Sequence, residues 1–363
     1  MKKNIYNQDQ IKESDLDFEL IKSEEEDRDI DIAPYKINTY GADYTLEILA
    51  QKLKTKEIKT PTFQRRYVWS LIRASKLIES FLLGLPVPQI FLYREINQDL
   101  LVVDGQQRLK SIFYFFNGKF DNGKKFILKT VKPRWEGKTF EKLEEIDKRR
   151  IKNSVLRATI FEQQDPKDNS SIFEIFERLN TGGMALNEQE VRNCVIRGEI
   201  NKFLEELNNY QDWRRLLNKE SPDTRMKDIE MILRFFSLYK DKGWQKYKKP
   251  MKDFITEFMR NNRDIDEEHR IKYENLFKGI IKKIYKDVGV SAFRLKSGIN
   301  VALFDAVVVA LASTKNYDKI QNLKTKIEKL KKNNKFIYDI SNHTTDTDRV
   351  LERIRMTLKI FSQ

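Results

Sequence analysis

The stretch LVVDGQQRLKSIFYFF, residues 101–116, sets an acid, a glycine, two amides and a guanidinium at five consecutive positions, Asp104 to Arg108. An apolar run precedes them and an amphipathic pattern comes after, so they stand where a strand turns into a helix. The first N–H groups of a helix have no partners within it and lie at the positive end of its dipole, which makes such a junction an anion pocket. Gly105 permits a tight turn and lets a phosphate approach the backbone. Gln106 and Gln107 can donate hydrogen bonds, and Arg108 can hold two phosphate oxygens at once. Asp104 could bind a hydrated Mg²⁺ or orient water. The plainer alternative is a corner in which Asp104 caps the helix. The chain has no G-x-x-x-x-G-K-[ST] loop, so this is not a Walker A site.

Two further segments carry chemistry. TPTFQRRYVWS, residues 60–70, sets Gln64, Arg65 and Arg66 beside Tyr67 and Trp69 just before a helix. Arginine among aromatic faces suits phosphate, base stacking or both, the alternative being a surface loop anchored by a buried Trp69. FERLNTGGMALNEQEVRN, residues 176–193, stops one helix at Asn180-Thr181-Gly182-Gly183 and starts another at Asn187, with Glu190 spaced for a capping box. Asn180, Gly182 and Gly183 could close over a ligand, with Arg192 and Asn193 one turn on; the alternative is a helix–loop–helix corner.

Other chemistries are excluded. The histidines, His269 and His343, stand apart and in no metal-ligand spacing, which argues against metal–histidine nuclease chemistry. A lone Cys194 allows no internal disulfide and fits a reducing, cytoplasmic setting. The N-terminal sequence has no apolar segment of the signal-peptide type. The most apolar run, VALFDAVVVALA from Val301 to Ala312, is too short to cross a membrane and reads as a buried helix.

The elements that must position these residues fall into two classes. Up to about residue 165, strands and helices alternate: helices over YTLEILAQKLKT and SLIRASKLIESFLLG, the latter with Ser70 as N-cap and Gly84 as stop, and strands over PQIFLYREI, LLVVD and SVLRATIFE. DNGKKFIL carries a hairpin signal at Asn122-Gly123. Beyond the polar run QQDPKDNSS every strong pattern is helical. The expected organisation is an acidic, mostly disordered arm over 1–38, an α+β domain over 39–167 and a helical domain over 168–363. The helix in KIQNLKTKIEKLKK, with Ile320, Leu323, Ile327 and Leu330 on one face, is expected to pack rather than read DNA. The net charge is +14, but residues 1–33 hold five basic and eleven acidic side chains, so the rest is +20. A basic body of this kind suggests a polyanionic partner, most simply DNA.

Taken in order, TPTFQRRYVWS, KLIESFLLGLPVPQIFLY, LLVVDGQQRLKSI and IFERLNTGGMALNEQEVRN resemble the DUF262 family, the N-terminal domains of GmrSD-type, modification-dependent restriction systems and related phage-defence proteins. The resemblance covers roughly residues 40–200. It implies a ParB/sulfiredoxin-like α+β fold. Phe63 to Arg66 would correspond to the ParB-like box containing Gln-Pro-Arg, and Asp104 to Arg108 to the phosphate-binding box, linked in the family to nucleotide binding and hydrolysis. Relatives of this kind sense modified DNA, and many carry or recruit an HNH nuclease. Two isolated histidines cannot build an HNH centre. The expectation is therefore a prokaryotic defence protein: an NTP- and Mg²⁺-dependent DNA sensor, with cleavage left to another domain or to a partner such as a separate HNH nuclease subunit or another defence-system protein, and with a homo-oligomer open to it. The alternatives are a non-hydrolysing ParB-like clamp or sensor, and a Mg²⁺-dependent nicking nuclease using Asp104.

Overall fold

The computed structural model describes residues 37–60, 67–95, 97–163, 175, 187–296 and 298–363. They divide into two compact units, one within 32–187 and one over 188–363. The change of character in the sequence, at 167/168, lies within a stretch outside the described residues.

The first unit is a mixed five-stranded sheet with helices packed on it. Its strands are β1 (Ile37–Thr45), β2 (Ile58–Lys59), β3 (Ile90–Arg94), β4 (Leu100–Asp104) and β5 (Val155–Gln163), in the order β1-β5-β3-β4-β2. β1 lies antiparallel to β5 along nine residue pairs, from Ile37 opposite Gln163 to Thr45 opposite Val155. β3 runs parallel to β5 and antiparallel to β4, and a register shift between Phe91 and Leu92 marks a bulge against β4. β2 pairs in parallel with β4.

Alternation along the strands explains the core. Ile90 and Leu92 of β3, Val102 of β4, and Ala158 and Ile160 of β5 are fully buried on one face. They pack with α1 (Leu46–Lys54), α2 (Leu71–Leu83), α3 (Gln106–Asn117) and α4 (Glu145–Asn153). α2 starts and stops where its sequence says. The Ser70 hydroxyl accepts from Arg73 N at 3.3 Å, and Gly84 takes the left-handed conformation at φ +70°. Leu77, Ile78, Phe81 and Leu82 turn inward on the helical period. At Asn122-Gly123 the chain turns as expected, but the only pairing around it is the single bridge Lys119–Lys125, so no two-stranded hairpin forms among the described residues.

The second unit is helical. The Val301–Ser313 helix is buried on all sides from Ala302 to Leu311, as its uniformly apolar sequence demands. Its one acid, Asp305, is fully buried between two guanidiniums, Arg234 at 2.6 Å and Arg353 at 3.1 Å. A carboxylate removed from water costs several kcal/mol unless paired, and stripping one partner from such a group typically costs about 3–5 kcal/mol. The triad thus ties three helices at one point. Leu323, Ile327 and Leu330 are buried as one face of Leu323–Lys331, so that lysine-rich helix packs as expected, with Ile320 lying before its start. Among the described residues no helix is long and apolar enough to cross a membrane.

Candidate functional site

β4 passes into α3 through one residue. Gly105 sits at φ +97°, ψ +9°, in the left-handed region. A Cβ there would lie 2.3 Å from Ile90 Cγ2 and 2.9 Å from Ile90 Cβ. Both conformation and space therefore demand glycine. Gly105 O accepts from Leu109 N at 2.9 Å, closing the first turn of α3, and Gly105, as the N-cap residue, brings no side chain to that turn. The corner with Asp104 as cap is not what forms. Instead the Asp104 carboxylate, its side chain 34% exposed, pairs with Arg108 Nη2 at 2.5 Å, one helical turn on.

Arg108 is held by the protein on every side that it reaches. Its Nη1 donates to Pro88 O and, at 2.8 Å, to Gln89 O, the carbonyls just before β3. The side chain is only 14% exposed. The spacing suggests an arm facing a ligand. The guanidinium instead anchors the entry to β3 and fixes Asp104, which makes it a positioning group in this state. Gln106 is buried, at 9% exposure.

Gln107 joins the first two sequence motifs. Its Oε1 accepts from the backbone N–H of Val68 at 3.0 Å and of Trp69 at 3.3 Å. One turn further along α3, Ser111 Oγ lies 2.7 Å from the Tyr67 hydroxyl, and the Tyr114 ring meets the Tyr67 ring edge-on at 5.1 Å. The segment Tyr67–Ser70 is thereby fastened along the first two turns of α3. Trp69 is half-buried against the core and carries Arg73 over its ring at 4.6 Å. Arg65, Arg66 and Gln64, which directly precede Tyr67 in the chain, lie outside the described residues.

The rest of this wall is polar but closed. The Tyr114 hydroxyl donates to Asp121, and burial together with that bond pushes its pKa up. Burial lowers the pKa of neighbouring Lys110, against the opposing pull of Asp121.

The third motif resolves in part. Asn180, Gly182 and Gly183 lie outside the described residues. The helix Glu188–Val195, just beyond them in the chain, buries its polar residues Gln189, Glu190, Arg192 and Asn193 to 2% exposure or less. Arg192 donates to Gln189 Oε1 at 2.7 Å, Glu188 Oε2 at 3.0 Å and Thr256 Oγ1 at 3.0 Å. Glu190 pairs with Arg225 at 3.2 Å, and Asn193 bonds Gln189. Arg192 and Asn193 therefore bond within the buried interior of the helical unit. Cys194 is buried beside them, and that burial raises its thiol pKa well above its usual value. The two histidines are bystanders. His269 bonds the helix cap Asp266, and His343 sits in the turn before the last helix. Among the described residues no three His, Cys, Asp or Glu side chains gather as a metal site.

The geometry at Gly105 predicts a specific sensitivity. Gly105→Ala should cost about 2–5 kcal/mol of unfolding free energy, from positive-φ strain plus the clash with Ile90. Gly41→Ala, whose added methyl meets nothing within 4 Å, should stay within about 0.5 kcal/mol of the parent. Urea unfolding monitored by circular dichroism measures both, and equal losses would refute the reading of the junction.

Residues 46–197 match the family described as GmrSD restriction endonuclease, N-terminal domain. A comparison with curated proteins finds no match to the chain. The matched span takes in the Tyr67–Ser70 anchor, the Asp104–Arg108 junction and the buried Glu188–Val195 helix. Residues 46–197 are thus similar to the N-terminal domain of that restriction-endonuclease family.

Proposed function

We propose that this chain is a nucleotide-dependent DNA sensor of a defence system, binding and hydrolysing a nucleoside triphosphate at the β4–α3 junction. The observation that carries the reading is the junction itself: a partly exposed carboxylate at a strand end, a glycine at φ +97° beside it, and a helix that starts directly after that glycine. Backbone N–H groups of that turn would meet phosphate oxygens, with Gln106 and Gln107 at its edge. Arg65, Arg66, Gln64, Asn180, Gly182 and Gly183 enter the proposal from sequence alone. Asp104 would orient the attacking water, and Arg108, clamped to Pro88 and Gln89, would keep that carboxylate in place.

The donor set fits Mg²⁺. This ion is commonly held by one or two carboxylates together with phosphates and water, and Asp104 supplies the one. Bound there, it would neutralise charge on the phosphates. Two histidines far apart in the sequence do not make an HNH centre, so DNA cleavage would fall to a partner or to another domain. DNA itself would meet the basic body, which carries +20 beyond the acidic arm.

A second reading has one observation in its favour. Asp104 is already ion-paired with Arg108 at 2.5 Å, which commits a carboxylate oxygen to the guanidinium and suits a protein that binds nucleotide without splitting it.

Turnover of the four NTPs with Mg²⁺, with and without DNA, separates the two. The hydrolytic reading expects release of phosphate that Asp104→Asn reduces on the order of 100-fold or more. Binding without release from any NTP would leave the sensor alone standing. DNA affinity should fall roughly 10³-fold between about 50 and 200 mM salt if six or more phosphates are contacted. A flat salt response would show that the positive charge is merely solvated.

A further inference from the structure

The face of the sheet away from the helical core bears a polar cleft of about 410 Å³, lined by Gly41, Asp43, Gln89, Arg157 and Thr159. That size falls in the lower part of the range of small-molecule sites, about 300–1,000 Å³. The register ties the cleft to the junction. Thr159 pairs with Gly41 on one side and Phe91 on the other, and Phe91 pairs with Asp104. Two interstrand steps of about 4.8 Å put the backbones of Thr159 and Asp104 roughly 10 Å apart. Gln89 belongs to both places: its carbonyl accepts from Arg108 at 2.8 Å, and its side-chain Oε1 accepts from the Thr159 hydroxyl at 3.2 Å.

We propose that this cleft is the nucleoside subsite, taking the sugar and base of a nucleotide whose phosphates lie at Asp104–Arg108. The proposal rests on the reading of that junction as a phosphate site. Three features support it. First, Gly41 sits mid-strand in a backbone conformation open to any residue, and an added Cβ would meet nothing within 4 Å. Glycine weakens a strand interior, and one reason to keep it there is close approach of a ligand. Second, the cleft offers both kinds of hydrogen-bonding group. Arg157 Nε donates to Asp43 Oδ1 at 3.0 Å, yet the two side chains are 68% and 53% exposed and present donors and acceptors outward. They suit the mixed edge of a base, while Thr159 and Gln89 suit ribose hydroxyls. Third, half-buried Phe91 stands between Thr159 and Asp104 in the register, an aromatic surface between the two subsites.

Calorimetric titration of the full chain with Mg²⁺ and each of the four NTPs, and separately with inorganic tripolyphosphate, tests this. At least one NTP should bind about ten-fold or more tighter than tripolyphosphate, because the cleft holds the nucleoside. Gly41→Leu, which fills the cleft, should erase about ten-fold of NTP affinity and leave tripolyphosphate within about two-fold. Thr159→Val, equal in shape, should weaken the NTP by about three- to ten-fold. Equal binding of NTP and tripolyphosphate by the parent, or unchanged NTP binding by a folded Gly41→Leu, would overturn the subsite and leave the phosphate site standing. A parent that binds neither would overturn both.

Discussion

One glycine pressed against one isoleucine sets the geometry on which the candidate site depends. With Gly105 at φ +97° and Ile90 filling the space where a side chain would be, β4 turns into α3 without a loop. That abrupt turn brings Asp104 and Arg108 within an ion pair, and Arg108 then reaches back to the carbonyls that start β3. It also aims the first turns of α3 at the Tyr67–Ser70 segment, so Gln107 and Ser111 can fasten it. Each of these contacts requires the helix to start at residue 106.

The helical unit puts a second polar cluster to another use. In the Glu188–Val195 helix, amides and charges are buried and paired with one another, with Arg225, and with Thr256 and Glu230. An unpaired guanidinium at the site of Arg192 would be costly, so this network allows essentially one arrangement of its neighbours. The family span ends at residue 197, and the compact helical unit begins at 188, so the motif NEQEVRN is at once the end of the family domain and the first layer of the helical unit. Its polar residues serve as a packing key.

Much of this is legible in the sequence because the signals are local. The bounds of α2 derive from Ser70, Gly84 and a helical period, and β3, β4 and β5 from apolar runs ended by polar turns. β1 escapes a sequence reading because it is an edge strand, largely exposed, whose residues INTYGADYT show little alternation. α4 escapes it because that helix buries only Asp147 and Ile151. At the site, the short spacing of Asp104 and Arg108 allows an ion pair across the strand–helix turn, but Pro88 and Gln89 lie in a different part of the chain and no local pattern names them. The partners of Arg192 are likewise distant in the chain. A run of polar residues on a helix reads as solvent-facing until distant partners such as Glu230 and Thr256 are known. The cleft at Gly41, Gln89 and Thr159 draws on three separate strand regions and leaves only one trace, a glycine in the middle of a strand.

The central claim is that the β4–α3 junction, together with the segment that Gln107 holds against it, is where nucleotide binds. Amide hydrogen exchange with and without saturating NTP and Mg²⁺ tests it most directly. The account predicts slower exchange at Gln106 to Arg108 and at the Val68 and Trp69 N–H groups that donate to Gln107, with the Glu188–Val195 helix unchanged. Protection that leaves these amides unaltered while appearing elsewhere would contradict it.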